Sequence, residues 1–115
     1  MTQPRPVRAI SIRQPYVELI LRGRKRNEYR RRPTNIRERV FIYAALTPAD
    51  DERAWGLAKA TRGDLRTGAI IGSVEIVGCH WNGQEYAYSL AKPRRLKRAR
   101  YATNQPTPCF WRPKF

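Results

Sequence analysis

The run Ala69-Ile70-Ile71-Gly72-Ser73-Val74-Glu75-Ile76-Val77 constrains the fold more than any other segment of this chain. Its β-branched residues favour a strand, and its glycine permits the curvature and close backbone approach that a closing sheet needs. The other apolar runs are shorter. Arg8-Ala9-Ile10-Ser11-Ile12 and Arg39-Val40-Phe41-Ile42-Tyr43-Ala44 read as strands, and Lys25 to about Arg31 as an extended stretch. After the Asn82-Gly83 turn signal, Glu85 to Leu90 reads as a further strand, and Phe110-Trp111 closes the apolar pattern. Two helices interrupt these strands. Pro15 suits the first turn of one running from Tyr16 to Arg22, stopped by Gly23, with Val17, Ile20 and Leu21 toward the core. Thr47 as cap, Pro48 after it and Asp50 at the third position predict a second helix, reaching about Ala60 and burying Trp55. Pro4 and Pro6 mark an irregular N-terminal arm. With 115 residues, the pattern predicts one α+β domain over residues 1–115, a small β-barrel of five or six strands with two main helices.

Charge narrows the function. The formal net charge is +15, distributed as +9 over residues 1–40, −2 over 41–91 and +8 over 92–115. Clustering at both ends predicts that the ends converge on one basic face. A polyanion would offset the self-repulsion there by counter-ion release, and the excess of Arg over Lys suits bidentate phosphate contacts. The expected partner is therefore RNA or a nucleotide. A protein-docking role fits less well, since protein interfaces are not normally this basic. No apolar run approaches the ~20 residues of a membrane span, and Met1 to Pro6 carry no secretory h-region, so a cytoplasmic chain without membrane association is expected. Cys79 and Cys109 then read as thiols. With His80 they make three possible ligands against the roughly four of a structural zinc site, so neither metal nor cofactor is expected. The sequence sets no oligomeric state.

Several side chains are placed to carry chemistry. Lys25 follows a glycine turn, where an ammonium can hold a phosphate or, if burial lowers its pKa, activate a nucleophile. Glu28 lies among many Arg. It either meets a ligand (orienting Lys25, accepting from a base edge, activating water) or only salt-bridges Arg30, Arg26 or Arg13. Side chains alternate along a strand, so Lys25 and Glu28 share a cleft only if Lys25 lies in the turn or a bulge intervenes. Arg13, Gln14 and Tyr16 flank a helix start, where anions bind and Gln14 can read a base edge; Gln14-Pro15 reads equally as a plain turn, and Tyr16 as core. Tyr29 and Trp81 are candidate stacking platforms, and His80 a candidate acid or base, against structural roles for each. Arg94, Arg95, Lys97 and Arg98 form either a phosphate-tracking segment or a solvated loop, with Tyr101 beside them and Arg30-Arg31-Arg32 as a second cluster. One histidine without partners makes no Ser-His-Asp triad, and phosphate-loop and zinc-protease motifs are missing.

Ser11-Ile12-Arg13-Gln14-Pro15-Tyr16, followed by Gly23-Arg24-Lys25-Arg26-Asn27-Glu28-Tyr29-Arg30, resembles the signature of the ASCH family: a strand ending in a "(S/R)xxQP" turn, a helix, then G-x-K-x-x-E-x-R. The resemblance runs on through the strands at 40–43, 68–77 and 86–90 to Phe110-Trp111. It implies a PUA-like barrel whose signature residues, Arg24 included, line a cleft that binds RNA or a modified nucleotide. It also implies an alternative, since some members hydrolyse N4-acetylcytidine and a ribonuclease activity is attributed to others. In the amidohydrolase branch a Lys works with a Thr three residues later and a distant Glu. Lys25 matches that Lys, Glu28 stands in place of the Thr, and Glu75 and Glu85 are the candidates for the distant carboxylate.

Overall fold

The structure, a computed structural model, describes residues 5–115. Pro4 of the expected arm lies outside them; residues 5–8 are irregular. The order is β1 (Ala9–Ile12), α1 (Tyr16–Leu21), β2 (Asn27–Arg30), β3 (Arg39–Ala44), α2 (Glu52–Ala58), a 3-10 turn (Arg62–Asp64), β4 (Ala69–Trp81), β5 (Tyr86–Arg100) and β6 (Phe110–Trp111). All six strands join one curled sheet in the order β2-β5-β4-β3-β1-β6. Only the β1–β3 pair is parallel, and the other four are antiparallel. The fold is thus an α+β half-barrel of six strands with two helices, as the sequence pattern predicts.

Alternation along the strands splits the apolar residues between two faces. Ile10, Ile12, Ile42, Val74 and Ile76 pack with Val17 and Ile20 of α1. Ala9, Phe41, Tyr43, Ile70 and Trp111 form a second cluster on the other face. Helix α2 docks on α1 through Leu19, Ala54 and Ala58.

The β4–β5 ribbon carries most of the curvature. Its register shifts between Ile70 and Gly72, Ser73 and Glu75, and Ile76 and Gly78, and such irregularities bend and twist a ribbon. Gly72 is needed at the first bend. A Cβ there would lie 2.5 Å from the Leu21 side chain and 2.7 Å from the Arg94 carbonyl oxygen. Leucine can rotate away but the carbonyl belongs to the ladder, so Gly72→Ala is expected to lower stability by about 1–3 kcal/mol, read as a fall in the urea midpoint.

Three elements differ from the sequence expectation. Asp51, not Thr47, caps α2, with its carboxylate accepting from Ala54 N–H at 3.0 Å. The reason is tertiary: Ala49 N–H donates to the Gln14 carbonyl at 2.8 Å, and its own carbonyl accepts from Trp55 Nε1 at 2.9 Å. Residues 47–50 therefore stay outside the helix, held against the start of α1. Strand β4 runs on to Trp81. Strand β5 continues past Pro93 to Arg100, because Lys92 at φ 51° makes the irregularity that accommodates a residue without an N–H. The basic run Arg94 to Arg98 is thus strand rather than loop.

Helix α1 is braced from outside by charge. Both Glu18 oxygens accept from Arg95, at 3.0 and 2.8 Å, and Oε2 also accepts from Arg22 Nε at 2.7 Å. The bonds from Arg95 foremost, with those from Arg22, hold this nearly buried carboxyl below its usual 4.5 despite desolvation. A depressed carboxyl stabilises the fold fully above its unfolded pKa, and that contribution is lost as pH falls through the folded value. Glu18→Gln should therefore be less stable than the parent at neutral pH. The gap in urea midpoint should shrink as the pH is lowered below about 4.5.

Candidate functional site

Because β1 and β3 are parallel, the chain leaves both at the same end of the sheet, and the segments that follow them form the walls of a cleft. Ser11 and Arg13 come from β1 and its exit, and Ala45, Leu46 and Thr47 from the exit of β3. Tyr16 enters from α1, Glu28 and Arg30 from β2, and Pro106, Thr107 and Pro108 from the segment before β6. The volume is about 480 Å³, within the range of small-ligand pockets.

Arg30 builds the floor. Its Nε and Nη2 donate to Glu28 Oε2 at 3.1 and 2.8 Å, Nη2 also donates to the Ser11 carbonyl at 2.6 Å, and Nη1 to the Pro108 carbonyl at 3.0 Å. One guanidinium thus ties edge strand β2 to β1 and to the residues before the opposite edge strand, β6. Stacking of Tyr88 on Phe110, with centroids 6.2 Å apart, bridges the same gap. The Tyr88 hydroxyl donates to the Arg32 carbonyl, and burial raises the pKa of this phenol.

Glu28 lines the cleft, and its other oxygen lies toward Lys25. Its side chain is only 10% exposed, and Lys25 Nζ lies 3.6 Å from Oε1, which receives no hydrogen bond among the described residues. The alternation problem is resolved by the turn. Gly23 adopts φ 74°, and the N–H groups of Arg24 and Lys25 both donate to the Leu19 carbonyl, so Lys25 precedes β2 instead of lying in it. Its ammonium sits 5.2 Å from the centroid of the Tyr16 ring and 4.9 Å from that of Tyr29. The Tyr16 hydroxyl donates to Asp51, the α2 cap. Burial, then that bond, pushes the Tyr16 phenol up to about 12, and the same bond holds Asp51 below the usual carboxylate range. A second recess, of about 470 Å³, is lined on this side by Lys25, Arg24, Tyr29, Asp51 and Leu57. Tyr16 borders both.

Other candidates stand elsewhere. Gln14 is 1% exposed and points away from the cleft: Nε2 donates to the Arg66 carbonyl at 3.0 Å and Oε1 accepts from Glu18 N–H at 3.1 Å. It braces the turn and occupies an N–H of α1 that would otherwise be open to an anion. His80 and Trp81 end β4, where Trp81 is exposed and contacts Tyr86 edge to face. Arg94 pairs with Ser73 near Arg39, whereas Arg95, Lys97 and Arg98 line a groove on the Glu18 side of α1. Cations of the two charged ends meet at two places, Arg22 with Arg95 on Glu18 and Arg39 beside Arg94, while Arg95, Lys97 and Arg98 line a groove other than the cleft. Neither proposed distant carboxylate reaches Lys25. Glu75 lies 3.7 Å from Arg39 in another groove, and Glu85 closes the Asn82 turn.

Asp51 is the carboxylate that shares the Lys25 recess, and the sequence did not single it out because its link to Tyr16 is tertiary. Ser11, Tyr43, Thr47 and Thr107 were likewise missed as wall residues; only Ser11, inside the "(S/R)xxQP" turn, carried a signal. Cys79 and Cys109 are free thiols. Among the described residues, no cluster of three or more metal-ligating side chains occurs, and no helix is long and apolar enough to cross a membrane.

No curated protein matches the chain. The crystal structure of a serine-to-alanine mutant of ZmASCH from Zymomonas mobilis shares its fold, with TM-score 0.62 at 18% identity over 96% of this chain and 90% of that one. The profile of the ASCH domain matches residues 10–107, which include the β1 turn, the Lys25–Arg30 element and the cleft walls up to Thr107. The chain belongs to the ASCH family.

Proposed function

We propose that this protein binds RNA and receives one unpaired nucleotide in the cleft floored by Glu28 and Arg30. The observation that carries the reading is the Glu28 carboxylate, nearly buried, with one oxygen saturated by Arg30 and the other, which has only Lys25 Nζ at 3.6 Å and no hydrogen bond among the described residues, able to accept an N–H from a base edge. Apolar walls from Leu46, Pro106 and Pro108 suit a base, and exposed Arg13 and Arg24, without acidic partners among the described residues, suit the flanking phosphates. Arg30 is a framework residue in this scheme, since its three nitrogens are already engaged.

Titration of a labelled, unstructured RNA at several salt concentrations tests this. Affinity should fall linearly on a log–log plot. Arg13→Ala with Arg24→Ala should weaken binding and flatten the slope by about 1.4, roughly 0.7 per lost contact to a single strand. An unchanged slope would remove these residues from the interface.

The 3.6 Å approach of Lys25 to Glu28, with side chains 18% and 10% exposed, favours a second reading. There the pair works as a hydrolytic base system on an N4-acetylcytidine-type nucleoside or an RNA phosphodiester, with Asp51 as the neighbouring carboxylate. Release of cytidine or RNA fragments that disappears in Lys25→Ala, with binding retained, would establish it.

A further inference from the structure

The groove on the other side of α1 has its own chemistry. Gln14 and Glu18, four residues apart, mark that side of the helix, whereas Tyr16 and Leu19 face the Lys25 recess. The groove holds about 580 Å³ and is walled by Arg66, Arg95, Lys97, Arg98 and Tyr101. Of its two carboxylates only Glu18 is charge-paired, while Asp64 accepts at one oxygen from neutral Thr61 groups. Glu18 is bound by Arg95 and Arg22, and Asp64 by the Thr61 N–H at 2.8 Å and hydroxyl at 2.9 Å. Arg66, Lys97 and Arg98 have no acidic partner among the described residues, and all are exposed. Arg66 donates to the hydroxyl of Tyr101, a ring 59% exposed. Free cations beside an exposed ring are what a sugar-phosphate backbone with an unstacked base requires.

Groove and cleft are joined around the start of α1. The Arg66 carbonyl holds Gln14, the neighbour of cleft residue Arg13. Leu46 lines the cleft, is 71% exposed, and would stand 2.8 Å from a Cβ on Gly68, two residues beyond Arg66. The residues that link the two sites are therefore Arg13, Leu46 and Arg66.

We infer that a single RNA strand occupies both sites, with one base in the Glu28 cleft and its flanking phosphates passing over this rim onto Arg66, Lys97, Arg98 and Tyr101. The inference rests on the nucleotide-binding reading of the cleft and makes the ligand a strand instead of a free nucleoside. Crossing about one helix diameter, ~10 Å, takes at most about three nucleotides at the ~3.4 Å spacing of a stacked strand, and fewer where the strand is unstacked. With one nucleotide in the cleft and one on Tyr101, about four to five engage the full path.

Fluorescence anisotropy with unstructured RNA of two to ten nucleotides, on the full chain, tests it. Affinity should rise with length to about four to five nucleotides and then level off apart from the statistical gain. Lys97→Glu with Arg98→Glu should weaken the octamer about tenfold or more and leave the dinucleotide nearly unchanged. Lys97→Ala with Arg98→Ala should do the same more weakly. A control of equal charge change, Arg112→Glu with Lys114→Glu, should cost the octamer far less. An octamer insensitive to the Lys97 and Arg98 changes, or weakened equally by the control, overturns the inference. In either case dinucleotide binding lost on Arg13→Ala would leave the cleft reading intact. A dinucleotide that does not bind, or ignores Arg13→Ala, overturns the cleft reading and the path with it.

Discussion

Replacing Arg30 by leucine should cost the fold about 3–5 kcal/mol, more than any other single change at the site. The change removes four hydrogen bonds that join β2, β1 and the segment before β6, and it leaves the Glu28 carboxylate with only Lys25, 3.6 Å away. An uncompensated carboxylate at 10% exposure is the costly product, beyond the lost bonds themselves. Arg30→Lys should recover little, because one ammonium cannot reproduce a planar fork that donates to a carboxylate and two carbonyls in different strands. Arg30→Leu combined with Glu28→Leu should regain part of the loss by removing the stranded charge. Urea unfolding of the three variants measures this. Equal stability of Arg30→Leu and the parent would show that the curled sheet closes without the guanidinium.

Glu28→Gln should separate affinity from selectivity. Glutamine keeps the shape and can still accept from Arg30, so the fold survives with a smaller loss. The carboxamide offers the base edge a neutral acceptor, or a donor if it turns over, where the carboxylate only accepts. The preference among single-base homopolymers should therefore shrink by about tenfold or more, the discrimination expected of a good base contact, while overall affinity for RNA stays the same or rises with the removal of a negative charge. Competition titrations with the four homopolymers read both quantities. A preference that persists unchanged in Glu28→Gln places base reading elsewhere.

These expectations rest on features of unequal legibility in the sequence. Strands with β-branched runs, and an α1 set between Pro15 and Gly23, follow from local pattern, and all of them form. The length of β5 was hidden because Pro93 looks like a terminator, whereas a single φ of 51° at Lys92 lets the ladder continue. The true cap of α2 was hidden because Thr47 satisfies every local rule, and only the hydrogen bond from Ala49 to Gln14 overrides it. At the site, the G-x-K-x-x-E-x-R spacing placed Lys25, Glu28 and Arg30 together. It could not divide their labour: Arg30 reads as one more phosphate ligand until its carbonyl partners on distant segments are known. Gln14 shows the reverse, a polar residue in a signature turn that is used up in bracing it. The basic ends were visible as charge alone, and where their cations meet, on Glu18 and beside Arg39, is a property of the topology.

The central claim is that RNA enters the Glu28 cleft instead of coating a +15 surface at random. Backbone amide spectra of the full chain, titrated with a short unstructured RNA at near-physiological salt, test it most directly. The account predicts the largest shifts at Ser11 to Arg13, Lys25 to Arg30, Ala45 to Thr47 and Thr107, with little change at exposed arginines that do not line the cleft, such as Arg62 and Arg112. Shifts spread evenly over every exposed arginine, with none concentrated at Glu28 and Thr47, would contradict it.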